Sequence, residues 1–230
     1  MNRKPHFSNL SQISGHLPEI LTAENAEDLF AQAAPFMELM MRYNCALREV
    51  RTKFEVLNDE FTVRFRRNPV ESIHTRIKKP VSIREKLERK GYPVTIESIE
   101  QNLSDVAGIR IICSFIDDIY ALVDMFTAQD DIRVVEVKDY IKNPKPNGYR
   151  SLHLIVEIPI FLSDRKLPVR VEVQFRTIAM DFWASLEHKL QYKRDNVNAS
   201  EIAAELSACA ERVAALDLEM QEISRKIENS

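Results

Sequence analysis

The chain has 230 residues, 45% of them hydrophobic and 29% charged, with a net charge of -3. That is enough apolar material for one well-filled core with helical extensions, and it excludes a protein held to nucleic acid or anionic membrane by its overall field, so any anion site has to be local. Cys45, Cys113 and Cys209 are far apart and odd in number, which argues against a disulfide framework and a zinc site, and no apolar run approaches the ~20 residues of a membrane helix; a cytoplasmic protein is expected.

Residues up to about 23 show no sustained period. From 26 to 61, Phe36, Leu39, Met40, Tyr43, Leu47, Val50, Phe54 and Leu57 recur at intervals of three and four, which predicts a long amphipathic helix, with Pro35 as its starter and packing as its role. Over 72–78, Ile73, Thr75 and Ile77 alternate with His74, Arg76 and Lys78. That is a strand with one basic face, ended by Pro80. Ser82 with Glu85 then reads as a capping box, and Gly91 as the helix stop. Arg76, Lys78, Lys79, Arg84, Lys86, Arg89 and Lys90 put seven cations into fifteen residues against Glu85 and Glu88. The segment reads either as a solvated basic helix or as a polyphosphate site at a helix N-terminus.

Asp105 precedes a largely buried strand over 109–115 in which Arg110 is the exception, and a buried guanidinium needs a partner, ligand or ion pair. A helix is expected over 117–128 and a strand over 132–140. Between Asp139 and His153, Pro144, Pro146 and the Asn147-Gly148 step mark a loop carrying Tyr140, Tyr149, Lys142, Lys145 and Arg150. It reads as an ordinary surface loop or as rings and cations suited to a purine nucleotide. A strand over 151–159 leads through a polar turn at 163–166 into the most regular stretch of the chain.

From 169 to 176 the alternation is faultless: Val169, Val171, Val173 and Phe175 on one face, Arg170, Glu172, Gln174 and Arg176 on the other. Successive polar side chains stand about 7 Å apart, a spacing from two strand rises. The polar face is either a solvated edge or a ladder that could hold a metal and phosphates. Thr177 can cap a helix reaching about 192, with Ile178, Phe182, Trp183, Leu186 and Leu190 as its apolar stripe. Asn198 and Glu201 form a further cap pair. Ile202, Leu206, Cys209, Val213, Leu216, Met220, Ile223 and Ile227 then repeat as a heptad seam, whose partner is either the N-terminal helix of the same chain or another subunit.

Five ordered stretches together resemble the RelA/SpoT-type alarmone synthetases, in particular the small, single-domain members. They are residues 76–86, 104–111, 147–153, 172–177 and 182–188, and the likeness covers roughly 61–193. The resemblance implies an α+β fold of nucleotidyltransferase type, a mixed five-stranded β-sheet flanked by helices, which suits the five strands above. It implies a helical region over 1–60, a catalytic domain over 61–195 and an amphipathic helix over 196–230. It implies transfer of the pyrophosphoryl group of ATP to the 3′-hydroxyl of GDP or GTP, with Mg²⁺ as cofactor. By the same likeness Asp105 and Glu172 are the metal and catalytic carboxylates, with Arg76, Lys78, Ser82, Lys86, Arg89 and Arg110 on ATP and Lys145, Tyr149, His153 and Gln174 on the guanosine acceptor. The family's hydrolase carries a His-Asp pair, and no histidine here is followed by aspartate, so synthesis without hydrolysis is expected. A homotetramer is expected too, with (p)ppGpp or single-stranded RNA as candidate effectors. The alternative from another class is a non-catalytic binder of guanosine nucleotide or RNA on the same fold; nucleotidyl transfer is a second enzymatic one.

Overall fold

A computed structural model of the chain describes residues 23–191 and 199–228. By internal packing it divides into Met1–Glu38 and Leu39–Ser230. The elements run α1 (Ala23–Phe65), β1 (Val70–Ile77), α2 (Pro80–Arg89), α3 (Ile96–Asn102), β2 (Ala107–Cys113), α4 (Ile116–Thr127), β3 (Arg133–Asp139), β4 (Leu152–Phe161), β5 (Lys166–Thr177), α5 (Ile178–Gln191) and α6 (Ala199–Glu228). The expected cap at Asn198 and the helix end at Tyr192 lie outside the described residues. No described helix is long and apolar enough to cross a membrane.

The five strands form one mixed sheet in the order β1-β2-β5-β4-β3, as expected. β2 and β5 are parallel neighbours at its centre, and every other pairing is antiparallel. A parallel pair cannot be joined by a tight turn, so the chain leaves β2, builds α4, β3 and β4, and returns as β5 beside it. The alternation of β5 holds: Val171, Val173 and Phe175 are fully buried. Phe54 of α1 stacks on Phe126 of α4 at 4.5 Å between ring centroids and meets Phe175 edge-on at 5.4 Å. This face is the core, and the other face of the sheet is left for polar side chains.

Three expectations are corrected. Pro35 lies inside α1 rather than at its start. α2 begins at Pro80, not at a Ser82 cap, because a proline holds the preceding Lys79 extended (φ -63°, ψ 145°) and itself suits the first helical position, where no N–H is needed. The stripe Ile178, Phe182, Leu186 and Leu190 of α5 is exposed, while Met180, Trp183 and Ala184 are the buried residues of that helix. α6 packs on α5 and α4, with Leu206, Cys209 and Val213 around Trp183, Ala184 and Ala210. Leu216, Met220 and Ile223 stay exposed. Sequence reading also passes over α3, although Thr95 caps it by accepting from the Ser98 N–H. The expected ends at Thr177 and Gly91 hold: Thr177 Oγ1 accepts from the Met180 N–H at 3.1 Å, and Gly91 follows α2 at φ +72°.

Candidate active site

Strand register turns a linear alternation into a two-dimensional array. One row across the sheet is His74, Arg110, Gln174, His153 and Lys138; the next is Arg76, Gly108, Glu172, Ile155 and Glu136. Facing residues in adjacent strands project to the same side, so both rows share the face opposite the phenylalanine core. A cavity of about 500 Å³ opens over them, lined among others by Arg76, Lys78, Asp105, Arg110, Glu172 and Gln174. Gly108 lies in register between Arg76 and Glu172, and a Cβ there would meet only the Arg76 carbonyl oxygen at 3.8 Å. The missing side chain therefore keeps space over the sheet rather than relieving a clash.

Asp105 approaches from the segment between α3 and β2. Lys78 Nζ and Lys86 Nζ both donate to its Oδ2, at 2.5 and 2.6 Å. Its Oδ1 is buried with no hydrogen-bond partner among the described residues. Burial works to raise the Asp105 carboxyl, but the two ammonium donors outweigh it and hold the group below the ordinary carboxylate range. Burial likewise lowers Lys78, against the pull of Asp105. Glu172 repeats the pattern: burial raises it, while the hydrogen bonds and charge of His153 and the amide of Gln174 lower it further. Both acids are thus held ionised.

From Glu172 a chain of polar contacts crosses to the loop between β3 and β4. Gln174 Nε2 donates to Glu172 Oε2 at 3.0 Å, and His153 Nδ1 lies 3.4 Å from Oε1. The Tyr149 hydroxyl is 2.8 Å from His153 Nε2 and accepts from Arg176 Nη2 at 2.8 Å. Arg176 Nη1 and Arg110 Nη1 both donate to Asp181 Oδ1 of α5, at 2.8 and 3.2 Å. One carboxylate thereby holds two guanidiniums on the same face. The Nε atoms of Arg110 and Arg176 are buried without partners among the described residues. Lys145 Nζ lies over the rings of Tyr140 and Tyr149, at 4.7 and 4.8 Å from their centroids.

Of the residues expected to share a site, Asp105, Glu172, Arg76, Lys78, Arg110 and Gln174 line one cavity. Lys86 joins through Asp105, and His153, Tyr149 and Lys145 through the loop. Ser82 in the first turn of α2 and Arg89 in its last turn are not among the residues lining it. Sequence reading missed His74, which lines the cavity, and Asp181, which holds Arg110 and Arg176. His74 could be found from the alternation of β1, whereas Asp181 carries no signal beyond an acid in the first turn of a helix.

A cation fits the donor set: two carboxylates held ionised over one cavity, with an orphaned Asp105 oxygen between cationic walls. Hard oxygen donors of this kind suit a hard divalent cation.

A family model described as "Region found in RelA / SpoT proteins" matches residues 75–197. The chain is 43% identical over 208 residues to the GTP pyrophosphokinase YwaC of Bacillus subtilis, covering 90% of this chain and 99% of that one. It is 36% identical over 196 residues to the GTP pyrophosphokinase YjbM of the same organism, covering 85% and 88%. Among solved structures, small alarmone synthetase 2 of B. subtilis superposes with a TM-score of 0.75 at 44% identity, over 83% of this chain and 98% of that one. Small alarmone synthetase 1, bound to its product pppGpp, does so with a TM-score of 0.75 at 35% identity, over 84% and 97%. With the cross-sheet array, the family model over residues 75–197 and this likeness along most of the length of both B. subtilis proteins, the chain belongs to the RelA/SpoT family.

Proposed function

We propose that this chain is a GTP pyrophosphokinase that makes ppGpp or pppGpp from ATP and GDP or GTP. The observation that carries the reading is the convergence of Asp105 and Glu172 with Arg76, Lys78 and Arg110 on one cavity, joined by His153 to the loop that holds Tyr149. A binder of anions gains nothing from two ionised acids facing phosphate; a phosphoryl-transfer enzyme needs them. In the reaction the acceptor 3′-oxygen bonds to the β-phosphorus of ATP, the bond from that phosphorus to the α–β bridging oxygen breaks, and AMP departs with the bridging oxygen. Glu172 accepts the 3′-hydroxyl proton. Gln174 occupies its Oε2 at 3.0 Å, and Oε1, which meets His153 at the longer 3.4 Å, is the oxygen placed to accept from the incoming hydroxyl.

Arg76, Lys78, Lys86 and Arg110 hold and neutralise the ATP phosphates, since this transfer is driven by placement and charge compensation more than by covalent chemistry. Ser82 and Arg89 extend the ATP surface along α2. Tyr149 stacks on guanine, with Lys145, His153 and Gln174 beside the acceptor. Asp105 and Glu172 would hold Mg²⁺, which supplies charge neutralisation on the transferred group. Synthesis resides in 61–195, flanked by helical regions at 1–60 and 196–230. The working form is a homo-oligomer, a tetramer, supported by the exposed faces of α5 (Phe182, Leu186) and α6 (Leu216, Met220, Ile223); full burial of one such side chain is worth about 1.5–3 kcal/mol.

Incubation with ATP labelled at the β-phosphate and either GDP or GTP is the test. AMP and a labelled guanosine tetra- or pentaphosphate are expected. Nucleotide binding without AMP would leave the non-catalytic reading, and release of pyrophosphate would assign nucleotidyl transfer instead.

A further inference from the structure

The acceptor loop is not held by its own strand alone. Gly148 is buried at φ +86°, and a Cβ built on it would stand 2.4 Å from the Ala210 Cβ of α6, with the Ser207 carbonyl oxygen at 3.6 Å. Arg150 Nη1 donates to the Gly148 carbonyl at 3.2 Å, while its Nη2 donates to both oxygens of Glu211, the residue after Ala210 in α6, at 3.2 and 3.3 Å. Asn147 Nδ2 donates to Glu187 of α5 at 3.3 Å. The Tyr149 ring packs against Trp183, Ala184 and Ala210, and Trp183 Nε1 donates to the Leu206 carbonyl. Further along, α6 is tied down by the buried Thr177–Asp217 hydrogen bond of 2.6 Å and by Gln221, which accepts from the Asp117 N–H at 3.0 Å. A firmly anchored helix therefore presses on the one residue of the loop that has no side chain and a left-handed backbone.

We infer that α6, through Ala210 and Glu211, is a positioning element for the guanosine acceptor. It fixes the Asn147-Gly148 turn so that the Tyr149 ring is presented ready for the base. The inference rests on the proposed role of Tyr149. Glycine samples left- and right-handed conformations about equally when unrestrained, so a turn built on Gly148 would otherwise spend binding energy on its own ordering. Ala210 closes off that freedom by contact. The Arg150–Glu211 pair aligns the strand that follows, and because Glu211 is 65% exposed the pair adds little to global stability. Its loss can therefore be separated from unfolding.

Glu211→Arg sets a second guanidinium against Arg150, and Ala210→Val thickens the surface on which Gly148 rests. In both, the KM for the guanosine nucleotide should rise about five-fold or more, the scale of a surface pair and its repulsive inverse. The KM for ATP should move by less than about two-fold on the same scale, with melting temperature and light-scattering mass unchanged for Glu211→Arg. Equal rises for both nucleotides, no rise, or a rise that tracks a loss of mass or melting temperature in Glu211→Arg would overturn the inference. Tyr149→Ala is measured beside them. If it leaves the guanosine KM unchanged, the role given to Tyr149 fails; if it raises that KM while Glu211→Arg does not, only the role of α6 fails.

Discussion

The Nδ1 atom of His153 stands 3.4 Å from Glu172 Oε1, and its Nε2 is 2.8 Å from the Tyr149 hydroxyl. That hydroxyl also accepts from Arg176 Nη2 at 2.8 Å, so the ring nitrogen and the guanidinium meet on one oxygen. One histidine thus couples the residue expected to stack on the base to the residue expected to take the proton.

Glu172→Gln keeps the volume and removes the charge. Turnover should fall by at least about 10²-fold, the usual worth of a positioned general base, while calorimetry still finds both nucleotides bound. A variant retaining most of its AMP release would remove Glu172 from the proposed role.

Two substitutions at Tyr149 separate ring from hydroxyl. Tyr149→Ala should weaken guanosine nucleotide binding by about 1–3 kcal/mol, the worth of a stacked base, and leave ATP affinity nearly unchanged. Tyr149→Phe keeps the ring but frees His153, so guanosine affinity should hold while kcat drops about five-fold, as for the loss of a net ~1 kcal/mol hydrogen bond. A Tyr149→Phe variant with the kcat of the unsubstituted protein would show that the hydroxyl contacts are idle, and equal losses in the two variants would show that the ring itself contributes nothing.

Asp181 accepts from Arg110 and Arg176 with the same oxygen. Burial already lowers the Arg110 guanidinium and Arg176 lowers it further, with Asp181 opposing them. Asp181→Asn leaves two like charges less compensated, and the KM values for ATP and for the guanosine nucleotide should both rise, by about ten-fold for hydrogen bonds to charged groups. A rise in only one would mean that the two arginines serve a single substrate.

Phe54→Ala opens a void between Phe126 and Phe175. It should cost about 3–5 kcal/mol of stability, measured by denaturant unfolding. A cost below about 1 kcal/mol, that of a well-tolerated surface change, would mean that α1 does not close the core.

Asp217 of α6 is buried, and burial raises its carboxyl even though the Thr177 hydroxyl donates to it and lowers it in part. With the folded value above the unfolded one, the native state binds the extra proton. Its stabilising contribution is complete below the ordinary aspartate range near 3.9 and is lost as pH rises through the folded value. Asp217→Asn, whose carbonyl oxygen can still accept from Thr177, should therefore melt above the unsubstituted protein at pH 7. The gap should close as pH falls toward about 4, and a gap independent of pH would mean that the carboxyl is not the titrating group.

Periodicity is a local property, and it made the strands legible: residues 169–176 alternate because a buried face and a polar face each occur every second residue. The same logic gave α1 its length and put Arg76, Lys78, Glu172 and Gln174 on defined sides of their strands. Family likeness added roles that no spacing could supply. The helix boundaries failed where two signals competed, as at Ser82, where Pro80 two residues earlier had already set the backbone. Apolar stripes failed for a different reason: a stripe says that a face avoids water but not what covers it, so Phe182 and Leu186 turned outward while Trp183 turned in. Only tertiary structure decided which residues meet. Strand order set Gly108 between Arg76 and Glu172, the chain's return as β5 brought Glu172 into the cavity that Asp105 also lines, and α6 reached Gly148 and Arg150 from some sixty residues away along the chain. Such meetings depend on long-range register and packing, and no window of the sequence contains both partners.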